Sequence, residues 1–150
     1  MVAHSLAKAG MFLGAGNIIH ARGHDRIAEL GGNQRALLLT WVAMALAAAS
    51  LIGLPPSSGF AGKLWLLQAA LQDGLWWWAV VIVVGTLLTA AYLFRLFDAA
   101  AYSGADRGQG DTATPAPMPW TAVVLGAGAV ALGLAAPQLA ALLRIGGLGA

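Results

Sequence analysis

Two lysines and one histidine are the residues of this 150-residue chain that point most directly to chemistry. His4 and Lys8 are four apart, which on a helix puts them about 40° apart on one face, one turn from each other. They interrupt an apolar stretch, Val2 to Ile19, and from Ala9 to Ala21 there is no Asp, Glu, Lys or Arg. An ionisable side chain inside a membrane helix is expensive and usually faces a bundle interior or water. Desolvation penalises an ammonium and a protonated neighbour penalises it further, so an amine in that setting can load and release a proton. The pair therefore reads as a proton relay. The competing reading is a lysine that snorkels from a helix end near Met1.

Lys63 is the stronger signal. It follows an apolar run with no formal charge from Ala36 onward and lies four residues beyond Gly59. The segment before it, Gly53-Leu54-Pro55-Pro56-Ser57-Ser58-Gly59, cannot continue a helix cleanly, because proline lacks the amide donor and clashes with the preceding turn. A lysine just past such a break can reach the wet gaps left by unwound backbone. The N-terminal end of the following half-helix also disfavours a cation, which biases Lys63 toward proton release. An interfacial lysine is the bland alternative.

Other arrangements carry less. Gly10 and Gly14, a small-xxx-small pair, share one side of the first helix with Asn17, away from His4 and Lys8, and read as a packing face. Arg95 and Asp98 read as a surface pair worth a few tenths of a kcal/mol, about what such helix pairs contribute. His20 and His24 could share a helix face as metal ligands, but no third ligand is evident. Gly59-Phe60-Ala61-Gly62-Lys63-Leu64 lacks the G-x-x-x-x-G-K-[ST] spacing of a phosphate loop. Gly14-Ala15-Gly16 has no third glycine in register. No apolar segment holds a Ser-His-Asp set or paired carboxylates, so neither an enzymatic active site nor a cofactor or metal site is expected.

The elements that must hold these residues are membrane helices. Hydrophobic residues make up 59% of the chain and charged residues 9%, against roughly 25% charged in a soluble domain. That balance excludes an ordinary soluble enzyme, a disordered tail and a nucleic-acid binder. There is no cysteine, hence no disulfide framework and no thiolate chemistry. A bilayer core of roughly 30 Å asks for about 20 apolar residues per helix. Four stretches qualify, so the expectation is a single all-α integral membrane domain over 1–150, with segments at about 2–21, 36–73, 75–101 and 119–144. The third stretch has no charge from Leu75 to Phe94, no evident polar face, and aromatics at both ends (Trp76, Trp77 and Trp78; Tyr92, Phe94 and Phe97), as an interfacial belt requires. Trp120 marks the fourth stretch after Pro115, Pro117 and Pro119, and Pro137 is expected to bend it.

The second stretch is too long for one straight span. It is either a hairpin turning at Pro55-Pro56 or one discontinuous helix with halves near Leu37–Ile52 and Phe60–Gln72. The discontinuous form is preferred, because irregular backbone at membrane depth survives where protein or a wet cavity covers it, and such a break suggests an ion path. It also places the loops 22–35 and 102–118 on one side, with Arg22, Arg26, Arg35, Arg95 and Arg107, against Arg144 on the other. The positive-inside bias then makes both loops cytoplasmic and the protein a multi-pass component of the cell (inner) membrane.

His4-Ser5-Leu6-Ala7-Lys8-Ala9-Gly10-Met11-Phe12-Leu13 resembles the H-x-x-x-K-x-x-x-F-L helix of the proton-translocating, antiporter-like subunits of respiratory complex I, Mrp-type cation/proton antiporters and membrane-bound hydrogenases. Leu30-Gly31-Gly32 looks like their following L-G-G signature. Gly53-Leu54-Pro55-Pro56-Ser57-Ser58-Gly59-Phe60-Ala61-Gly62-Lys63 is similar to the G-[LI]-P-P-x-x-G-F-x-x-K break of their late discontinuous helix. Order and spacing agree from about His4 to Tyr102. The resemblance implies that Lys8 is the lysine of a central hydrophilic axis, Lys63 that of the outer half-channel, and His4 a histidine linking them through water. Pro55, Pro56 and Gly59 are the residues that mark the helix break itself.

Family members have about fourteen membrane helices, and the resemblance covers only the last four; the earlier Glu–Lys pair and first broken helix have no counterpart in this chain. A C-terminal fragment, a split subunit and a truncated reading frame are the three readings of that difference. The implied partners are other membrane subunits of a multisubunit complex and the lipid bilayer, not nucleic acid, and the implied transported ion is H⁺, with Na⁺ left open beside it. The implied role is a subunit of a proton-pumping oxidoreductase or of a secondary antiporter. The alternatives are a non-conducting scaffold subunit and a small independent transporter that oligomerises.

Overall fold

A computed structural model describes residues 2–23, 37–102 and 117–138, and in these every regular element is helical. The helices are α1 (Val2–Arg22), α2 (Leu38–Ile52), α3 (Ser58–Gln72), α4 (Trp76–Tyr102) and α5 (Pro117–Leu134). Arg26, Arg35, Arg107, Arg144, His24, Pro115, the Leu30-Gly31-Gly32 motif and the end of the fourth stretch lie outside the described residues.

The break between α2 and α3 is built by local chemistry. Gly53 takes the left-handed conformation (φ 86°, ψ 46°), which costs glycine nothing. The Leu54 amide then turns back to the Ala49 carbonyl at 2.9 Å, a Schellman-type stop. The peptide between Pro55 and Pro56 is cis. Ser57 restarts the helix, its hydroxyl accepting from the Phe60 amide at 3.4 Å. Because Ser57 is the cap, Gly59 falls in the first turn of α3 and not in the unwound segment. Its missing side chain is used there: a Cβ would collide with the Ser50 carbonyl.

α2 and α3 are 15 residues each, about 22 Å apiece, while α4 has 27 residues and rises about 40 Å. α4 runs back along both in turn. Its C-terminal part meets α2, where Phe97 lies against Trp41 with ring centroids 5.9 Å apart. Its N-terminal part meets α3, after a tight turn in which Leu75 closes onto Ala70 at 2.8 Å. Together α2 and α3 therefore form one discontinuous helix traversed by a single antiparallel partner, and not a folded hairpin.

The closest helix contacts are among α1, α2 and α5, and they are made by small residues. Ala7, Ala43, Ala47, Ala122 and Ala129 are fully buried. A Cβ on Gly10 would touch the Gly126 amide at 3.4 Å and Ala47 Cβ at 3.5 Å, one on Gly14 would overlap the Met44 side chain, and one on Gly126 would sit 2.8 Å from the Ala43 carbonyl. Lipid supplies no hydrophobic drive between helices, so close backbone approach and the dispersion it permits must hold them together. The packing face expected for Gly10 and Gly14 is this seam. Asn17 continues it, fully buried, with neither atom of its amide hydrogen-bonded.

Among the described residues, two helices are long and apolar enough to cross a membrane on their own, Trp76–Ala99 and Pro117–Leu134. The outward face of α4 leaves Val80, Val83, Val84, Leu87 and Leu88 about half exposed or more, which suits lipid and not water. α5 starts at Pro117, earlier than expected, because prolines are tolerated in a first turn whose amides have no intrahelical partner. It ends at Leu134 with a turn at Ala135. Pro137 has no amide to give the Gly133 carbonyl, so the expected bend is an interruption two residues earlier. Arg95 and Asp98 are both exposed, and no ion pair joins them. A gain of a few tenths of a kcal/mol does not offset the ordering of two long side chains.

Candidate functional site

His4, Lys8 and Lys63 all line one cleft of about 700 Å³ between α1, α2, α3 and α4. His4 and Lys8 extend from the first turns of α1 and are exposed to it. Lys63 enters from the second turn of α3 and is half-buried. Fifty-five positions separate Lys8 from Lys63 along the chain, and the antiparallel return of α2 beside α1 brings them to one level.

The Lys63 ammonium is held by backbone. Nζ donates to the carbonyls of Leu51 at 3.1 Å and Ile52 at 2.9 Å. These are the last carbonyls of α2, which have no intrahelical donor because the helix stops at Gly53. The negative end of a helix dipole attracts a cation. By its place in the chain Lys63 falls in the unfavourable field at the start of α3. The structure reverses the sign: the side chain points back across the break and sits at the end of α2. Helical side chains lean toward the N-terminus of their own helix, and a lysine is long enough to cover the gap.

The prolines of the break are elsewhere. Pro55 and Pro56 are exposed and do not line the cleft. The backbone from Pro56 to Ser58 lies against Gly133 of α5, where a side chain would collide with it. Ser58 anchors the same contact, its hydroxyl donating to the Ala129 carbonyl at 2.6 Å. The break therefore meets the cleft through Leu51 and Lys63, and protein covers its other side.

The far wall adds residues that the sequence reading passed over. Thr86, Thr89 and Tyr92 of α4 line the same cleft. The spacing i, i+3, i+6 within an uncharged span was the available signal, and it contradicts the expectation that this stretch has no polar face. Thr86 Oγ1 donates to the Ile82 carbonyl and Thr89 Oγ1 to the Gly85 carbonyl, each at 2.7 Å. Such back-bonding hides a threonine in an apolar helix while leaving oxygen lone pairs to accept. The remaining lining is apolar, with Met11, Phe12, Ile18 and Ile19 on α1 and Leu93 and Leu96 on α4. Among the described residues no group of three or more His, Asp or Glu is placed to hold a metal ion. The arrangement gathers a few polar, proton-bearing groups around an otherwise apolar cleft.

Residues 1–89 match the family described as NADH:quinone oxidoreductase/Mrp antiporter, TM. The chain is 34% identical to NADH-quinone oxidoreductase subunit N of Desulforudis audaxviator, over 93% of this chain and 30% of that one. It is 32% identical to subunit L of Mycobacterium tuberculosis, over 87% of this chain and 22% of the relative. Its fold matches a chain in the structure of the Mrp complex from Dietzia sp. DQ12-45-1b, with a TM-score of 0.77 over 91% of this chain and 34% of that chain, at 24% identity. The present chain thus spans less than a third of the length of these sequence relatives. By the family match over its first 89 residues, the chain belongs to the transmembrane subunits of NADH:quinone oxidoreductases and Mrp antiporters.

Proposed function

We propose that this chain carries part of a proton path, coupled to cation movement if its assembly is an antiporter, within a multisubunit membrane complex. Lys8 and Lys63 are the groups that hold and pass the proton, and His4 assists between them through water. The observation that carries this reading is that the three side chains, from two helices distant in sequence, open into one cleft. A lysine whose ammonium is fixed by two carbonyls has a defined loaded state. Its unloaded state is a neutral amine that holds those carbonyls without the assistance of charge, so loading and release differ in how firmly the side chain is held.

The relatives' names support a complex: one is a subunit of an NADH-quinone oxidoreductase, and the fold match lies within an Mrp complex. Other membrane subunits are therefore the proposed partners, the cell membrane the proposed location, and H⁺ or Na⁺ the proposed cargo. The four hydrophobic stretches, with α2 and α3 counted as one crossing, are the proposed spans of one membrane domain, and the loops 22–35 and 102–118 are proposed to be cytoplasmic.

The test is proton translocation by the assembled complex in vesicles, normalised to complex present. Lys63→Ala removes the titrating amine. Lys63→Arg keeps the positive charge but cannot give up its proton in a protein. Both should lower translocation severely. Normal translocation with Lys63→Arg would leave Lys63 as an anchor and remove it from the path.

A further inference from the structure

We infer that Thr86, Thr89 and Tyr92 form the polar wall of a water file that connects the lysines to the end of the bundle where α1 finishes and α2 begins. This deepens the proton-path reading and rests on it. The cleft that holds His4, Lys8 and Lys63 does not stop at their level: it continues past Met11 and Ala15 to Ile18, Met44 and Leu96. Along that length α1 offers only apolar side chains. The three hydroxyls are on the facing helix, spread over six residues, about 9 Å of rise.

Their hydrogen bonding fits the role. Thr86 and Thr89 spend their donors on the Ile82 and Gly85 carbonyls and keep lone pairs for an incoming donor. Tyr92 is 60% exposed and lines the cleft, and its phenolic hydroxyl can both donate and accept. A cleft of about 700 Å³ has room for on the order of twenty waters at about 30 Å³ each. Water in an apolar cleft needs polar contacts to stay, and this stripe supplies them beyond the lysines. In each hop, a water or Tyr92 accepts one proton on a lone pair and passes on another. One proton crosses and nothing is consumed.

The chain contains no cysteine, so single cysteines can report which face is wet. In the full chain within its native membrane assembly, Thr86→Cys, Thr89→Cys and Tyr92→Cys should react with a charged, water-soluble methanethiosulfonate. Val84→Cys and Leu88→Cys, on the lipid-suited face, should not. Proton translocation should fall about tenfold with Tyr92→Phe and with Thr86→Val/Thr89→Val together, as loss of a hydrogen-bonded step in a barrier predicts. Thr86→Ser/Thr89→Ser should retain it. Absence of labelling at 86, 89 and 92, or labelling no different from 84 and 88, overturns the water file. Normal translocation in Tyr92→Phe and the double valine variant overturns its part in transfer. If Lys63→Arg blocks translocation while these variants do not, only this inference fails; if Lys63→Arg also translocates normally, the underlying path fails with it.

Discussion

Lys63 Nζ stands 2.9 Å from the carbonyl oxygen of Ile52, the last residue of α2, although Lys63 itself belongs to α3. One side chain thus ties the two halves of a broken helix together. The carbonyls it satisfies exist as free acceptors only because Gly53 stops α2, and Lys63 can reach them only because α3 resumes nearby at Ser58. The break and the lysine are one device, with the charge stored where the chain leaves helical form.

Removing that tie should weaken the fold as well as the path. Lys63→Met keeps length and loses both hydrogen bonds, leaving two partly buried carbonyls without a donor at about 1–3 kcal/mol. Thermal unfolding of the purified assembly in detergent should occur at lower temperature for Lys63→Met and close to wild type for Lys63→Arg. Equal loss in both would mean that the shape of the lysine, and not its charge on the α2 carbonyls, matters.

The small-residue seam should tolerate no growth. At Gly126 a side chain would meet the Ala43 carbonyl at 2.8 Å and Leu46 Cβ at 3.2 Å, so Gly126→Val should push α5 from α2 at about 1–3 kcal/mol, the usual range for overpacking. Gly128, with nothing within 4 Å of a Cβ, is the control. The amount of folded chain recovered from membranes should drop for Gly126→Val and hold for Gly128→Ala; equal recovery of both would contradict the seam.

Hydrogen exchange should be faster around Leu54–Gly59 than across Val80–Leu88. The first segment holds two prolines, and its amide bonds run from Leu54 back to Ala49 and from Ser57 to Leu54, outside any continuous helix, while the second is mid-helix in an apolar setting. Mass-spectrometric exchange on the assembled complex checks this, and equal protection would argue against an open break.

The proposed topology rests on the arginines. Cysteines at Gly23 and Gly108 should be labelled by an impermeant reagent only from the cytoplasmic side, and one at Gly74, in the turn between α3 and α4, only from the other. Labelling of Gly23 and Gly108 from opposite sides would contradict the path of the discontinuous helix.

Much of this protein is legible in its residues because the causes are local. A scarcity of charge with long apolar stretches implies lipid, since such a chain has no polar shell to offer water. Gly53, Pro55, Pro56 and Ser57 break and restart a helix through their own backbone sterics and capping, wherever the chain goes next. Lys8 and Lys63 stand out because charge is costly in their surroundings. What the residues alone left open depends on which segments meet. Only the return of α4 along α2 and then α3 separates a discontinuous helix from a hairpin, because both are compatible with the same turn chemistry. Only packing shows that Lys63 reaches back to α2, which reversed the sign of the field assigned to it. The Thr86–Tyr92 stripe became functional only when α4 was set facing the lysines. These are relations between distant stretches of chain, settled by which helices pack side by side, and no local rule of spacing contains them.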